Sequence, residues 1–173
     1  MRIILMGKAG AGRHTVASYL RTKHKFAEYS FAGILDDLAR QVCAPDLPDS
    51  QEWPRFLRTL DVRLRKLDPD CLTDYLMSQV FQQDHSDVVI VDGQAPRDIA
   101  RCREAFGFVS VHVTCAEQVR LARLVAKQGL ALCQSGDRTR NDCGADHAID
   151  NSKSFDELYR AVDRLVQDLR AVE

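Results

Sequence analysis

The stretch best equipped for chemistry is Gly7-Lys8-Ala9-Gly10-Ala11-Gly12-Arg13-His14-Thr15, three glycines in six residues followed by an arginine, a histidine and a threonine. Glycine tolerates positive φ and lets a ligand approach the backbone closely. Successive amides then turn into one concavity that suits an anion, and a following helix adds its unpaired N–H groups and positive dipole end. The expected occupant is a triphosphate, held by Gly7, Lys8, Ala9, Gly10, Ala11, Gly12, Arg13, His14 and Thr15. Against the pattern G-x-x-x-x-G-K-[ST], Gly7 and Gly12 fall on the glycines. Arg13 replaces the lysine, His14 the Ser/Thr, and Thr15 comes one place late. Arginine keeps the charge but is a planar fork, not a point charge; Lys8 is a second source of an ammonium. The plain alternative is a tight glycine turn with no ligand.

Phosphoryl transfer needs positioning and charge cancellation, and other residues are candidates for both. Asp92 ends a continuous apolar run, Val88 to Val91, as a buried parallel strand would when it delivers a carboxylate to the edge of a site. It is expected to hold Mg²⁺ through water or to orient the acceptor; the alternative is a strand-end aspartate that caps the next turn. Thr15, and less so His14, is the other residue expected near the metal. Arg58, Arg63 and Arg65 surround Asp61. They read either as an exposed basic face or as a bidentate clamp on an acceptor phosphate, with Arg97 reaching the same phosphate. Residues 129–146 are polar and poorly periodic, with Arg138 and Arg140 at their centre. They read as a lid that closes over the transferring group or as a plain mobile loop. Arg120 and Arg123, just before it, face the phosphates, stack on a base, or lie on a solvated helix face.

The elements that must position these groups alternate. Ile3 to Met6 reads as a buried strand, and Val16, Ala17 and Leu20 open a helix. A short strand is expected at Phe26 to Phe31, and helices at Ala32 to Val42 and along Phe56, Leu57, Leu60, Leu64 and Leu67. Ala44 to Trp53, broken by prolines, reads as a surface loop. Pro69 suits the first turn of a helix to Gln82. Strands at Asp87 to Asp92, Phe108 to Thr114 and Ala148-Ile149 alternate with helices at Pro96 to Phe106 and Ala116 to Gln128. Ser154 and Glu157 form a capping box before the stripe Phe155, Leu158, Tyr159, Val162, Leu165, Val166, Leu169. This order predicts an α/β fold, a three-layer parallel sheet with helices on both faces plus a lid segment, with ligands at the carboxyl ends of the strands.

A chain of 173 residues is one ordinary domain. A net charge of −1 argues against sequence-independent nucleic-acid binding, and no apolar run approaches the roughly 18 residues that cross a bilayer. The chain opens on a core strand, so no leader is expected. The six cysteines, at 43, 71, 102, 115, 133 and 143, form no C-x-x-C pair and read as reduced thiols of a cytoplasmic protein.

Five segments resemble, in order, the deoxynucleoside monophosphate kinases of bacteriophages, within the P-loop nucleoside monophosphate kinase superfamily. They are the glycine loop through Leu20; Tyr29 to Ala39, similar to an acceptor-site Phe-Ala-x-x-Leu-Lys; Leu57 to Asp70; Val89 to Asp98, similar to a strand ending Asp-x-Arg-x-Pro; and His147 to Leu158, similar to an Ile-x-Asn-x-Gly stretch near the donor base. Dephospho-coenzyme A kinase and animal phosphomevalonate kinase share the outline. The resemblance implies one kinase domain over 1–173, acceptor-binding helices at about 32–83, and a lid at about 129–146. It implies ATP with Mg²⁺ as donor and a deoxynucleoside monophosphate as acceptor. Arg13, Asp92, Arg138 and Arg140 would then be catalytic, and Arg123 and Asn151 would join the ATP-binding residues. Phe31, Ala32, Arg58, Arg63 and Arg97 would bind the acceptor. The partners would be small nucleotides; related kinases are often dimers, which leaves a homodimer open. The departures are Arg13 for the loop lysine, Asp36 for the acceptor-segment lysine and Gln94 for the arginine of Asp-x-Arg. Each removes or alters a group that neutralises phosphate, a loss worth on the order of 10²–10³ in rate. Another acceptor, or a nucleotide-binding protein that has lost catalysis, therefore stands beside the kinase reading.

Overall fold

The structure is a computed structural model that describes residues 1–43, 51–93, 95–128 and 144–171. Five parallel strands form one sheet in the order β2-β3-β1-β4-β5. In chain order the elements are β1 (Arg2–Met6), α1 (Arg13–His24), β2 (Ala27–Tyr29), α2 (Phe31–Val42), α3 (Trp53–Leu67), α4 (Cys71–Gln82), β3 (Val88–Gly93), α5 (Pro96–Phe106), β4 (Val109–Thr114), α6 (Glu117–Gln128), β5 (His147–Asp150) and α7 (Phe155–Arg170).

The period of two along β1 splits the core into two layers. Ile3 and Leu5 pack with Val16 and Leu20 of α1 and with Leu158, Val162 and Val166 of α7. Ile4 and Met6 face the other way, onto Ile34 and Leu35 of α2, Leu72, Leu76 and Met77 of α4, and Ile99 and Cys102 of α5. Both faces of the central strands are buried, which is why they read as unbroken apolar runs. The three-layer parallel α/β architecture is as expected. All strands run the same way, so the loops after β1, β3, β4 and β5 leave from one edge.

Several boundaries differ from expectation. Trp53 is not in a surface loop: it opens α3, is buried, and donates its indole N–H to Asp36 at 2.6 Å. Pro54 takes the first turn, where no N–H is needed. Pro69 precedes α4, which starts at Cys71. Phe155 stands 60% exposed although it heads the apolar stripe of α7; the capping box at Ser154 and Glu157 is present. Asp146, taken as the end of the lid, is an anchor. It accepts from the Ser110 N–H and hydroxyl at 2.8 and 2.7 Å and from Arg103 at 2.7 Å. Residues 129–143, with Arg138, Arg140, Cys133 and Cys143, lie outside the described residues, as does Gln94. Cys43, Cys71, Cys102 and Cys115 are free thiols, and burial with Asp98 nearby pushes Cys102 up to about 12. No helix among the described residues is long and apolar enough to cross a membrane.

Candidate active site

The glycine loop joins the end of β1 to α1. Gly7 and Gly12 have φ of 142° and 102°, values side-chain-bearing residues avoid. A Cβ on Gly7 would lie 2.3 Å from the Val113 carbonyl oxygen, and one on Gly12 would lie 2.0 Å from Asn151 Nδ2. The turn closes through the Ala11 N–H on the Lys8 carbonyl at 3.0 Å, and α1 starts with the Thr15 and Val16 N–H groups on Gly12. No side chain caps α1 at Gly12, and its first turn holds no acid. The positive dipole end of α1 is thus not cancelled by a side chain of its own first turn.

Cations gather around this opening. Arg13 is buried, at 8% exposure. Arg123 of α6 donates through Nη2 to the Asn151 carbonyl at 3.1 Å and Oδ1 at 3.4 Å. Its Nη1 is buried without a hydrogen bond to a described residue, 3.7 Å from where a Gly12 Cβ would stand. Asn151, 2% exposed, donates from Nδ2 to the Ala11 carbonyl at 2.8 Å and from its backbone to Thr114 at 2.7 Å. It therefore brackets the loop to the ends of β4 and β5. Arg120 braces the loop from α6, with Nη1 on the Ala9 carbonyl at 3.0 Å and a two-point pair to Glu117. Lys8 is half-buried and Ala9 exposed. His14 and Thr15 line a separate cleft of about 370 Å³ along α1, with Ser18, Tyr19, Thr22 and Tyr159.

Asp92, at the end of β3, faces α2. It accepts from the Phe31 N–H at 2.8 Å, the Ala32 N–H at 2.9 Å and the Ser30 hydroxyl at 3.0 Å. Ser30 in turn caps Gly33. Asp92 thus caps, but not the next turn as the plainer expectation had it: it caps the start of α2, 60 residues back in sequence. Beside it a cavity of about 520 Å³ opens between α2, α3 and the start of α5. Phe31, Ala32, Leu35, Leu57 and Val62 form its apolar wall; Arg58, Asp61, Arg65, Asp92 and Asp98 its charged lining; Ala95 and Pro96 its floor. A larger open hollow of about 1010 Å³ runs along β2, but no residue of the glycine loop or of β3 lines it.

The arginines near this cavity divide sharply. Arg58 lines it and is exposed. Arg63 is exposed and does not line it. Arg65 donates to Asp61 and to Asp98 at 2.7 Å each, and Asp98, 2% exposed, also accepts from Thr73 at 3.0 Å. Burial works to lower the Arg65 pKa, but the bonds to Asp98 and Asp61 outweigh it and hold it above the ordinary range. Arg97, expected at the acceptor, is gripped by Asp70 at 2.6 and 2.7 Å.

No protein-family model matches this chain, and no curated protein does. Solved structures do. Shikimate kinase from Acinetobacter baumannii, in complex with shikimate, aligns over 99% of this chain and 94% of its own, with a TM-score of 0.62 and 14% identity. TT1252 from Thermus thermophilus aligns over 97% and 98%, with 0.61 and 19%. Shikimate kinase from Bacteroides thetaiotaomicron aligns over 98% of each chain, with 0.60 and 16%. This chain has their fold. At these identities the likeness is one of architecture. In this fold the glycine loop and the ends of β3, β4 and β5 share the carboxyl edge of the sheet, where such sheets bind ligands.

Of the residues singled out from sequence, the loop, Arg13, Arg123 and Asn151 come together at one end. Phe31, Ala32, Arg58 and Asp92 come together at the other. Arg65, read from sequence as part of a phosphate clamp or a basic face, lines the α2–α3–α5 cavity but is tied to Asp61 and Asp98, and Leu35, Leu57, Val62, Asp61 and Asp98 also line it without having been singled out as site residues. The i, i+4 spacing of Asp61 and Arg65 was visible; the tie from Arg65 to Asp98 had no sequence signal, because the two are 33 residues apart.

Proposed function

We propose that the chain is an ATP-dependent phosphotransferase. It binds ATP at the glycine loop and moves the γ-phosphoryl group to a small acceptor in the cavity between α2, α3 and α5. The observation that carries the reading is the uncapped, acid-free N-terminus of α1, held open by Gly7 and Gly12, with the buried Arg13 and the buried Nη1 of half-buried Arg123 beside it. The fold supports it, since shikimate kinases share it.

In this reading the loop amides hold the donor phosphates, and Arg13 and Arg123 cancel charge that spreads over the transferring group. Asn151 fixes the loop against β4 and β5. Asp92 fixes the N-terminus of α2, and with it one wall of the acceptor cavity. Arg138 and Arg140 complete the set as lid residues. Mg²⁺ would come with ATP and neutralise its phosphates. Asp92 fits an outer-shell role, since three donors already occupy its oxygens and leave room for a water. Thr15 and His14 fit less well, because both line the α1–α7 cleft.

The chain would be a single kinase domain over 1–173, cytoplasmic, with nucleotides as partners. The acceptor implied by the sequence resemblance is a deoxynucleoside monophosphate, with Phe31, Ala32 and Arg58 against it; Arg63 and Arg97 would have to rearrange to join them. A second reading, a nucleotide-binding protein without turnover, is favoured by those commitments. A coupled ADP-release assay with ATP and Mg²⁺ decides, run across deoxynucleoside monophosphates and non-phosphorylated hydroxy compounds including shikimate. Turnover with any acceptor supports the phosphotransferase. ATP binding with no turnover supports the second reading, and no ATP binding removes both.

A further inference from the structure

Resting on the phosphotransferase reading, we propose that the acceptor carries no phosphate group: the α2–α3–α5 cavity takes a small hydroxyl compound with a single carboxylate-type charge, held by Arg58.

The inference comes from where the charges are already spent. The cavity lining holds three carboxylates, Asp61, Asp92 and Asp98, against two guanidiniums, Arg58 and Arg65. Arg65 is tied to Asp61 and Asp98 at 2.7 Å each. Arg97, the nearest further guanidinium on α5, is held by both oxygens of Asp70. Both helix N-termini at the cavity, which otherwise attract anions, are also supplied with acid. Asp92 fills that of α2, and Asp98 sits in the first turn of α5. Among the described residues, a phosphate dianion entering here meets net negative charge and one available cation, Arg58. Nor does it gain by displacing a carboxylate from Arg65, because Asp98 is 2% exposed and would be left charged and buried.

Arg58 has no ion-pair partner among the described residues and stands on the cavity rim. One free planar fork matches one carboxylate bidentately. In the same lining, Phe31, Leu35, Leu57 and Val62 offer an apolar surface for a ring or short chain. A volume of about 520 Å³ falls within the usual small-ligand range of about 300–1,000 Å³.

The test uses two probes that share a ring and differ in the anion, benzoate and phenyl phosphate. Each is titrated at pH 8 into the ¹⁵N-labelled full-length chain, following the backbone amides of Ala32, Arg58 and Ala95. Inorganic tripolyphosphate is titrated separately, following Gly10 to Arg13. The expected result is saturable benzoate shifts at the cavity amides, at least roughly tenfold tighter than any phenyl phosphate shift there. Arg58→Ala should weaken benzoate by about tenfold and narrow the gap. Equal or tighter binding of phenyl phosphate at those amides overturns the proposal. So does silence to both probes, since Arg58 would then be no anion site. Failure of tripolyphosphate to shift the loop amides is a separate result, and it counts against the phosphotransferase reading itself.

Discussion

The starts of α1 and α2 lie on the same edge of the sheet and are treated in opposite ways. The amides of α1 have no cap and no acid, and basic side chains from α1 and α6 crowd the loop before them. The amides of α2 are taken by Ser30 and Asp92, and the basic side chains beyond are held by Asp61, Asp70 and Asp98. In the proposed reading one end receives several negative charges from outside. The other has balanced its charges internally and offers an apolar wall with a single open guanidinium. A phosphoryl donor and a weakly charged acceptor are the ligands that suit such a pair.

The largest effect is expected on the balanced side. Asp98→Ala leaves Arg65 half-buried with only Asp61, and removing one partner of such a pair costs about 3–5 kcal/mol. Urea unfolding measures it. A loss below about 1 kcal/mol, the level of an exposed pair, would mean the cavity charges are not locked and the contrast fails. Next comes the open side. Gly12→Ala puts a methyl where Asn151 Nδ2 stands, at positive φ, and ATP affinity should fall by about 100-fold or more. Calorimetric titration checks it, with circular dichroism to confirm that the sheet persists. Arg123→Ala should weaken ATP by about tenfold while leaving acceptor KM unchanged. Equal effects on both would erase the division between the two ends.

The smallest effect is a pH dependence at Asp146, which lies at neither end. Burial alone would raise its pKa, but the Ser110 backbone and hydroxyl and Arg103 outweigh this and hold it below the ordinary value. A lowered folded pKa means the unfolded chain binds the proton more readily. Its contribution is therefore in place above about pH 3.9 and is lost as pH falls through the lower folded value. Asp146→Asn should flatten that part of the stability–pH curve; an unchanged curve would exclude Asp146 as its source.

Much of the architecture was legible because it rests on local periodicity. The runs at Ile3 to Met6 and Val88 to Val91, the glycine loop and the Ser154 capping box all announce themselves within a few residues. The loop end of the site was readable for the same reason, since Gly7 to Thr15 is contiguous. The cavity end, proposed to take the acceptor, was not. Its character depends on Arg97 meeting Asp70, Arg65 meeting Asp98 and Asp92 reaching Phe31, pairs separated by 27, 33 and 61 positions. A row of arginines in sequence gives no sign of which carboxylate each will meet. Trp53 was misplaced for a related reason: prolines on both sides suggested a loop, whereas Pro54 starts a helix and the indole finds Asp36.

The central claim is that the turn between β1 and α1 is a nest for polyphosphate. Its most direct test is calorimetric titration of ATP with Mg²⁺ into the intact protein and into Arg13→Ala. The account predicts saturable one-to-one binding to the first and a loss of about 100-fold in the second. Equal affinity in the two, or no binding by the intact protein, would contradict it.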